Sequence, residues 1–264
     1  MDLIDLSSLN ASDVQDIWRR VDQPALKFTG TVGWSFEGNG IRTRTTFLQA
    51  IRQIELEYIE LPNLLKSTER TCDLAGYLDP FYSLYVIRES NHVRLAEFAA
   101  ASRRPVINAM SSQGHPCEVL ADAYFIDRAL KPLSQAKICL WGPTTNVLRS
   151  WHELAAVLGF NILHLCEYEF HQSLPNVKFA VSLESEVDVV ITDSWPKGYE
   201  NLAWSLSKEH LKQLGSPKLL PTPPFNIGQE LVCDPRLYDG FVGYAQKMAL
   251  LNVQKAIISY VLSS

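Results

Sequence analysis

Short runs of apolar and β-branched residues alternate with segments of helical periodicity along almost the whole chain, and this alternation limits the fold more than any other feature. Asn10-Ala11-Ser12-Asp13 opens a first helix whose apolar stripe is Val14, Ile17 and Trp18. Residues 28–36, 58–61, 84–88 and 105–108 read as strands, and between the first two Phe47, Ile51 and Ile54 follow at helical spacing. The turn Lys131-Pro132-Leu133-Ser134 starts a second series, with strands at 137–141, 161–165 and 187–192 and a helix over 147–158. Strands this uniformly apolar belong to parallel sheets covered on both faces. The pattern predicts an α/β chain of two doubly wound parallel-sheet domains, residues 1–131 and 132–243. A strongly amphipathic terminal helix over 244–264 is expected to pack back on the first domain.

Composition narrows the function classes. Of 264 residues 47% are hydrophobic, enough for sizeable cores and too many for a disordered chain. The net charge of −5 supplies no polycation for nucleic acid or an anionic membrane surface. No apolar run approaches the ~20 residues of a membrane span. The start, Met1-Asp2-Leu3-Ile4-Asp5, is acidic where a secretory signal is basic, so a soluble, cytoplasmic protein is expected. Five cysteines (Cys72, Cys117, Cys139, Cys166, Cys233) without CxxC spacing indicate neither a disulfide framework nor a zinc site.

Four segments could carry chemistry. Phe36-Glu37-Gly38-Asn39-Gly40-Ile41-Arg42-Thr43-Arg44-Thr45 is a glycine-rich turn entering a helix, where unpaired N–H groups, the helix dipole and two guanidinium groups suit a phosphate; an ordinary turn with solvated arginines fits as well. His115-Pro116-Cys117-Glu118 follows a strand and holds an imidazole where α/β proteins bind ligands, although a structural histidine has the same appearance. Val190-Ile191-Thr192-Asp193 delivers a carboxylate into a loop, also the ordinary place for a turn-forming Asp. Pro221-Thr222-Pro223-Pro224 is a stiff loop in which a cis X–Pro bond fits.

Taken in order, Arg-Thr-Arg at a helix start, Arg88 at a strand end, His-Pro-Cys, a Gly-x-x-x-Asn loop, Thr-Asp-x-Trp and the proline-rich loop resemble the aspartate/ornithine carbamoyltransferase family over almost the whole chain. The resemblance implies that Gly40, Ile41, Arg42, Thr43 and Arg44 bind the phosphate of carbamoyl phosphate, with Gly40 where the family has serine. It implies that Arg88 and His115 stabilise the carbonyl oxygen, Arg42 sharing the catalytic work. Glu118 stands where the family has a glutamine that touches the carbamoyl amide, and brings negative charge toward a dianion. Asn146 and Asp193 would hold the acceptor amino acid, and backbone carbonyls at Thr222 and Pro223 the carbamoyl NH2. Lys66, ahead of Glu69, would reach the phosphate in a neighbouring subunit of a homotrimer.

The acceptor-side signatures depart from the ornithine type. Thr222 replaces a cysteine, Leu250 an arginine, and Pro196-Lys197-Gly198 a Ser-Met-Gly sequence. The expectation is a carbamoyltransferase acting on an amino-acid-like acceptor other than ornithine or aspartate, with no metal and no cofactor. The alternatives are a catalytically silent binding or partner subunit, and a transferase of another acyl phosphate selected by Glu118.

Overall fold

The computed structural model describes residues 1–182 and 186–264. The chain divides into two compact units, Met1–Tyr124 with Met248–Ser264, and Phe125–Lys247. The first boundary thus falls within a continuous helical run, upstream of the Lys131-Pro132 turn where the sequence suggested it. The helix Pro116–Phe125 passes into a π-helical segment, Ile126–Leu130, before the chain turns.

In the first unit β1 (Thr31–Phe36), β2 (Glu57–Glu60), β3 (Leu84–Arg88) and β4 (Val106–Met110) form an all-parallel sheet ordered β2-β1-β3-β4. Parallel strands require crossovers, here α2 (Ile41–Gln53), α3 (Thr71–Leu78) and α4 (His92–Ala101). Helix α1 (Ala11–Val21) starts where it does because Asn10 accepts from the Ser12 and Asp13 N–H groups at 2.8 and 3.1 Å, while Asp13 accepts from the Asn10 N–H at 2.8 Å. Val32, Trp34, Val86 and Ile107 on the inner strands are fully buried, whereas β2 is an exposed edge. The chain runs from β1 to β2 on one side and then to β3 on the other. The carboxyl ends of β1 and β3 therefore flank a topological switch point, where α/β sheets bind ligands.

Helix α5 (Pro116–Phe125) leads toward the second unit. There β5 (Ile138–Trp141), β6 (Ile162–Leu165), β7 (Val177–Ala180), β8 (Val189–Thr192) and β9 (Lys218–Pro221) form a parallel sheet ordered β7-β6-β5-β8-β9. Its switch point lies between β5 and β8. Helix α6 (Asn146–Leu158) is capped by Thr145, whose hydroxyl accepts from the Leu148 N–H at 3.2 Å, and it ends on Gly159 at φ +72°. A short α7 (Lys208–Gln213) precedes β9.

Three features depart from the sequence reading. Pro221 closes β9 instead of opening the proline-rich loop; as a terminal strand residue its missing N–H costs little. Strand β7 escapes notice because it is a four-residue edge strand, too short for its pattern to stand out from the surrounding loop. Helix α8 (Gly243–Ser263) is not amphipathic throughout: residues 256–261 are all buried, so a polar face survives only in its earlier turns.

Candidate active site

The β1/β3 switch point gathers the first set of residues. Phe36 and Arg88 are register partners at the two strand ends, and the Glu37 N–H donates to the Arg88 carbonyl at 2.9 Å. The chain turns through Gly40 at φ +39°, a left-handed position open to glycine at little cost, and enters α2. The missing side chain has a second effect. A Cβ on residue 40 would stand 3.0 Å from Arg88 Nη1 and 3.2 Å from Cζ, so the guanidinium lies directly on the helix entry. Burial, and then the charge of Arg42, pull the Arg88 pKa below the ordinary arginine value, with Glu37 opposing. Arg42 and Ile41 are exposed and Thr43 is buried. Two like charges beside the unpaired N–H groups of a first helical turn favour a multiply charged anion.

Arg44 is not part of this cluster. Its Nη1 is 2.9 Å from Glu60 Oε1 and its guanidinium lies 5.5 Å from the Phe36 ring centre, facing the β2 edge. Lys66 bridges two carboxylates of its own chain, Glu89 at 2.6 Å and Glu37 at 3.0 Å. Burial pushes the Glu37 carboxyl up, but hydrogen bonds from Ser90 and Lys66 outweigh it and bring the group down to about 2. The hydrogen bond to Glu89 is the main reason that the Lys66 pKa rises.

His115 and Glu118 follow β4, the neighbour of β3, and both are buried. The two loops are joined, since the Glu89 N–H donates to the Met110 carbonyl at 3.1 Å and the Ser112 N–H to the Ser90 carbonyl at 3.2 Å. Ser111 sets the turn before His115. Its hydroxyl accepts from the Gly114 N–H at 3.2 Å and from Asn108 Nδ2 at 3.1 Å, and it lies 2.8 Å from His92 Nδ1. Glu118 sits in the first turn of α5, where the helix dipole favours a carboxylate.

The β5/β8 switch point gathers the second set. Trp141 and Thr192 are register partners, and the Thr192 hydroxyl donates to the Trp141 carbonyl at 3.1 Å. Gly142, at φ +106°, leads to Asn146, the first residue of α6; half-buried Asp193 directly follows β8. The Thr222 N–H donates to the Thr192 carbonyl at 2.8 Å, and the Thr222 hydroxyl is buried without a hydrogen-bond partner. The Pro223-Pro224 bond is cis, and Ser194 donates to the Pro224 carbonyl. Asn146, Asp193, Thr222 and Pro223 thus share one edge of one sheet.

Sequence reasoning did not single out the Glu37–Lys66–Glu89 bridge, the Ser111 turn, or the contact of Trp195 with Gly142, where a Cβ would stand 3.5 Å from the indole Nε1. No local pattern marks the bridge, because Glu37 and Glu89 are distant from Lys66 in sequence. Among the described residues no group of three His, Cys, Asp or Glu side chains could hold a metal ion, and no helix is long and apolar enough to cross a membrane.

Residues 2–128 match the family described as aspartate/ornithine carbamoyltransferase, carbamoyl-P binding domain. An ornithine carbamoyltransferase of Caulobacter vibrioides is 28% identical over 67% of this chain and 62% of its own length. One of Nitrobacter winogradskyi is 29% identical over 62% and 59%. The chain thus spans about three fifths of the length of these curated relatives. A third relative, the ornithine carbamoyltransferase of Methanococcus aeolicus, is 26% identical over the full length of both chains. The fold is that of ornithine carbamoyltransferase from Pyrococcus furiosus (TM-score 0.90, 21% identity, 100% of this chain and 97% of the other) and from Thermus thermophilus (TM-score 0.90, 22% identity, 99% and 98%).

Proposed function

We propose that this chain, whose residues 2–128 match the carbamoyl-P binding domain of the aspartate/ornithine carbamoyltransferase family, moves the carbamoyl group of carbamoyl phosphate to the amine of an amino-acid-like acceptor. The observation that carries this reading is the Arg88 guanidinium seated on Gly40 beside Arg42. In the proposed reaction the acceptor's neutral amine attacks the carbamoyl carbon, forming a C–N bond and driving electrons onto the carbonyl oxygen. Arg88 and His115 stabilise that oxyanion; one such donor is typically worth about 2.7–4 kcal/mol. The C–O bond to phosphate then breaks, the phosphate leaves with the electron pair, and it accepts the proton lost by the amine. Arg42, Thr43 and the N–H groups of residues 40 and 41 bind the donor's phosphate. No cofactor takes part in this step.

Asn146 and Asp193 serve the acceptor, the first toward its α-carboxylate and the second toward its amine. An acceptor other than ornithine is favoured by Leu250, which is fully buried and apolar, and by the buried hydroxyl of Thr222. A cytoplasmic homotrimer whose sites are completed by a neighbour is part of the same proposal, and Lys66 would have to leave Glu37 and Glu89 to reach across. The second reading, a catalytically silent binding subunit, draws on the buried Glu118 carboxylate.

The test combines the protein with carbon-labelled carbamoyl phosphate and a panel of diamino acids that includes L-ornithine. Label in a ureido product, lost in His115→Ala, is the expected result. Calorimetric binding of carbamoyl phosphate without any product supports the silent subunit, and absence of both overturns the assignment.

A further inference from the structure

Behind the β5/β8 switch point lies a chain of imidazoles that the proposed chemistry does not use. His164, on β6, is fully buried, and its Nε2 lies 2.8 Å from the Gly142 carbonyl oxygen. Its Nδ1 lies 3.0 Å from Nε2 of His152, a buried residue of α6. The direction of both hydrogen bonds follows from chemistry. A carbonyl can only accept, so His164 Nε2 carries the proton. The Nδ1 of a neutral His164 must then accept, and His152 Nε2 is the donor. Phe179 packs on both rings, with centroids 5.1 and 5.5 Å away.

Gly142 is the point on which this chain acts. It begins the turn to Asn146, its φ of +106° excludes most other residues, and its Cα faces the Trp195 indole, two positions after Asp193. One side of this turn is therefore held by His164 and the other abuts the loop that carries the acceptor-side carboxylate. His152 adds a second tie, because it belongs to the same helix that Asn146 starts.

We propose that His164 and His152 are positioning residues for acceptor binding, fixing the 142–146 turn through the Gly142 carbonyl. This rests on the reading of Asn146 and Asp193 as acceptor ligands. Neutrality of His164 is part of the device, since a doubly protonated His164 could not accept from His152. Burial chiefly, then the His164 ring and Arg149, bring the His152 pKa down to about 3. Burial chiefly brings His164 to about 4, with His171 adding to the effect and the Gly142 carbonyl opposing it.

The test uses His164→Leu, His164→Gln and His152→Leu in the full chain, with L-ornithine and the best diamino acid of the panel as probes. Misplacement of a substrate-positioning turn costs about 10–100-fold. The expected result for His164→Leu is an acceptor KM raised about tenfold, with the KM for carbamoyl phosphate within about twofold of wild type. Partial recovery is expected in His164→Gln, which restores an N–H donor, and a smaller rise in His152→Leu. Hydrogen exchange of the amides of Gly142 and residues 144–147 should quicken about tenfold in His164→Leu. Equal changes in both KM values, or no change in either, overturn the inference. If wild-type protein carbamoylates none of the probes, the functional reading fails by itself, and exchange decides the positioning claim: unaltered rates at those amides in both folded His164 variants overturn it. Should His164→Leu not fold, His164→Gln and His152→Leu carry the same comparison.

Discussion

The Arg88 guanidinium stands against residue 40, with Nη1 3.0 Å from the position that a Cβ there would take. The resemblance puts a serine there, and its replacement by glycine at first reads as one lost hydroxyl contact. The geometry gives it another meaning, because in this arrangement glycine and the arginine fit each other. Gly40→Ser should therefore weaken the donor site instead of repairing it. Displacing Arg88 from an anion contact costs about 1.5–3 kcal/mol, or roughly 10–100-fold in carbamoyl phosphate affinity. The left-handed backbone at φ +39° adds about 1–2 kcal/mol of destabilisation for a residue with a Cβ. Calorimetry with carbamoyl phosphate and urea unfolding measure the two effects, and tighter binding by the serine variant would refute the argument.

The two arginines of the α2 entry should behave differently. Arg42 is exposed and close to Arg88, whereas Arg44 is engaged with Glu60 and the face of Phe36. Arg42→Ala should raise the KM for carbamoyl phosphate about 10–100-fold by removing a charge-assisted contact. The rise in Arg44→Ala should be smaller by about tenfold, and its main effect a stability loss within about 1 kcal/mol, as for other partly exposed ion pairs. Steady-state kinetics of the pair settles the ranking.

How far the sequence discloses this protein follows from the range of the interactions involved. The strands β1, β3, β5 and β8 are legible because each is a short apolar run bounded by turn residues, and the order of motifs places site residues at both switch points. The division of labour between Arg42 and Arg44 is not legible, since it depends on Glu60, a residue of the neighbouring strand. Lys66 illustrates the same limit: its position in the motif suggests a free cation, and only the fold brings Glu37 and Glu89 to it. The burial of residues 256–261 on all faces of α8 likewise reflects what surrounds the helix, which its own periodicity does not record.

The Lys66 bridge gives a pH prediction with a definite sign. Glu37 is held at about 2 in the folded chain, below its ordinary value of 4.5, by Ser90 and Lys66 against the effect of burial. The folded state thus favours the charged form. The associated stability is fully present above about pH 4.5 and is lost as the pH falls toward 2. Lys66→Met should return the Glu37 titration toward the ordinary carboxylate range, observable by carboxyl-carbon NMR. It should also raise the KM for carbamoyl phosphate, because the bridge joins the Glu37 turn to the residue after Arg88. A Glu37 titration identical to that of the parent would show that the Ser90 hydrogen bonds alone hold the group.

The buried imidazole pair predicts a second pH dependence, of different origin and in a different range. His152 and His164 titrate near 3 and 4 in the folded chain, chiefly because burial disfavours their charged forms, against 6.5 for an ordinary histidine. As the pH falls below 6.5 the unfolded chain takes up these protons while the folded chain does not. Stability linked to the pair is therefore complete above about pH 6.5 and declines toward pH 4. Each histidine contributes a slope of about 1.4 kcal/mol per pH unit while it remains neutral in the folded state alone. Replacing His152 by Leu removes one of the two protons from this balance. Between pH 6 and 5, where the carboxylates are still largely ionised in both states, the unfolding free energy of His152→Leu should fall less steeply than that of the parent by about that single-proton slope. Urea titrations at several pH values give the comparison directly, because the difference between the two proteins cancels the groups they share. Parallel curves would mean that His152 binds its proton alike in the folded and unfolded chains, contrary to the neutral ring that burial favours.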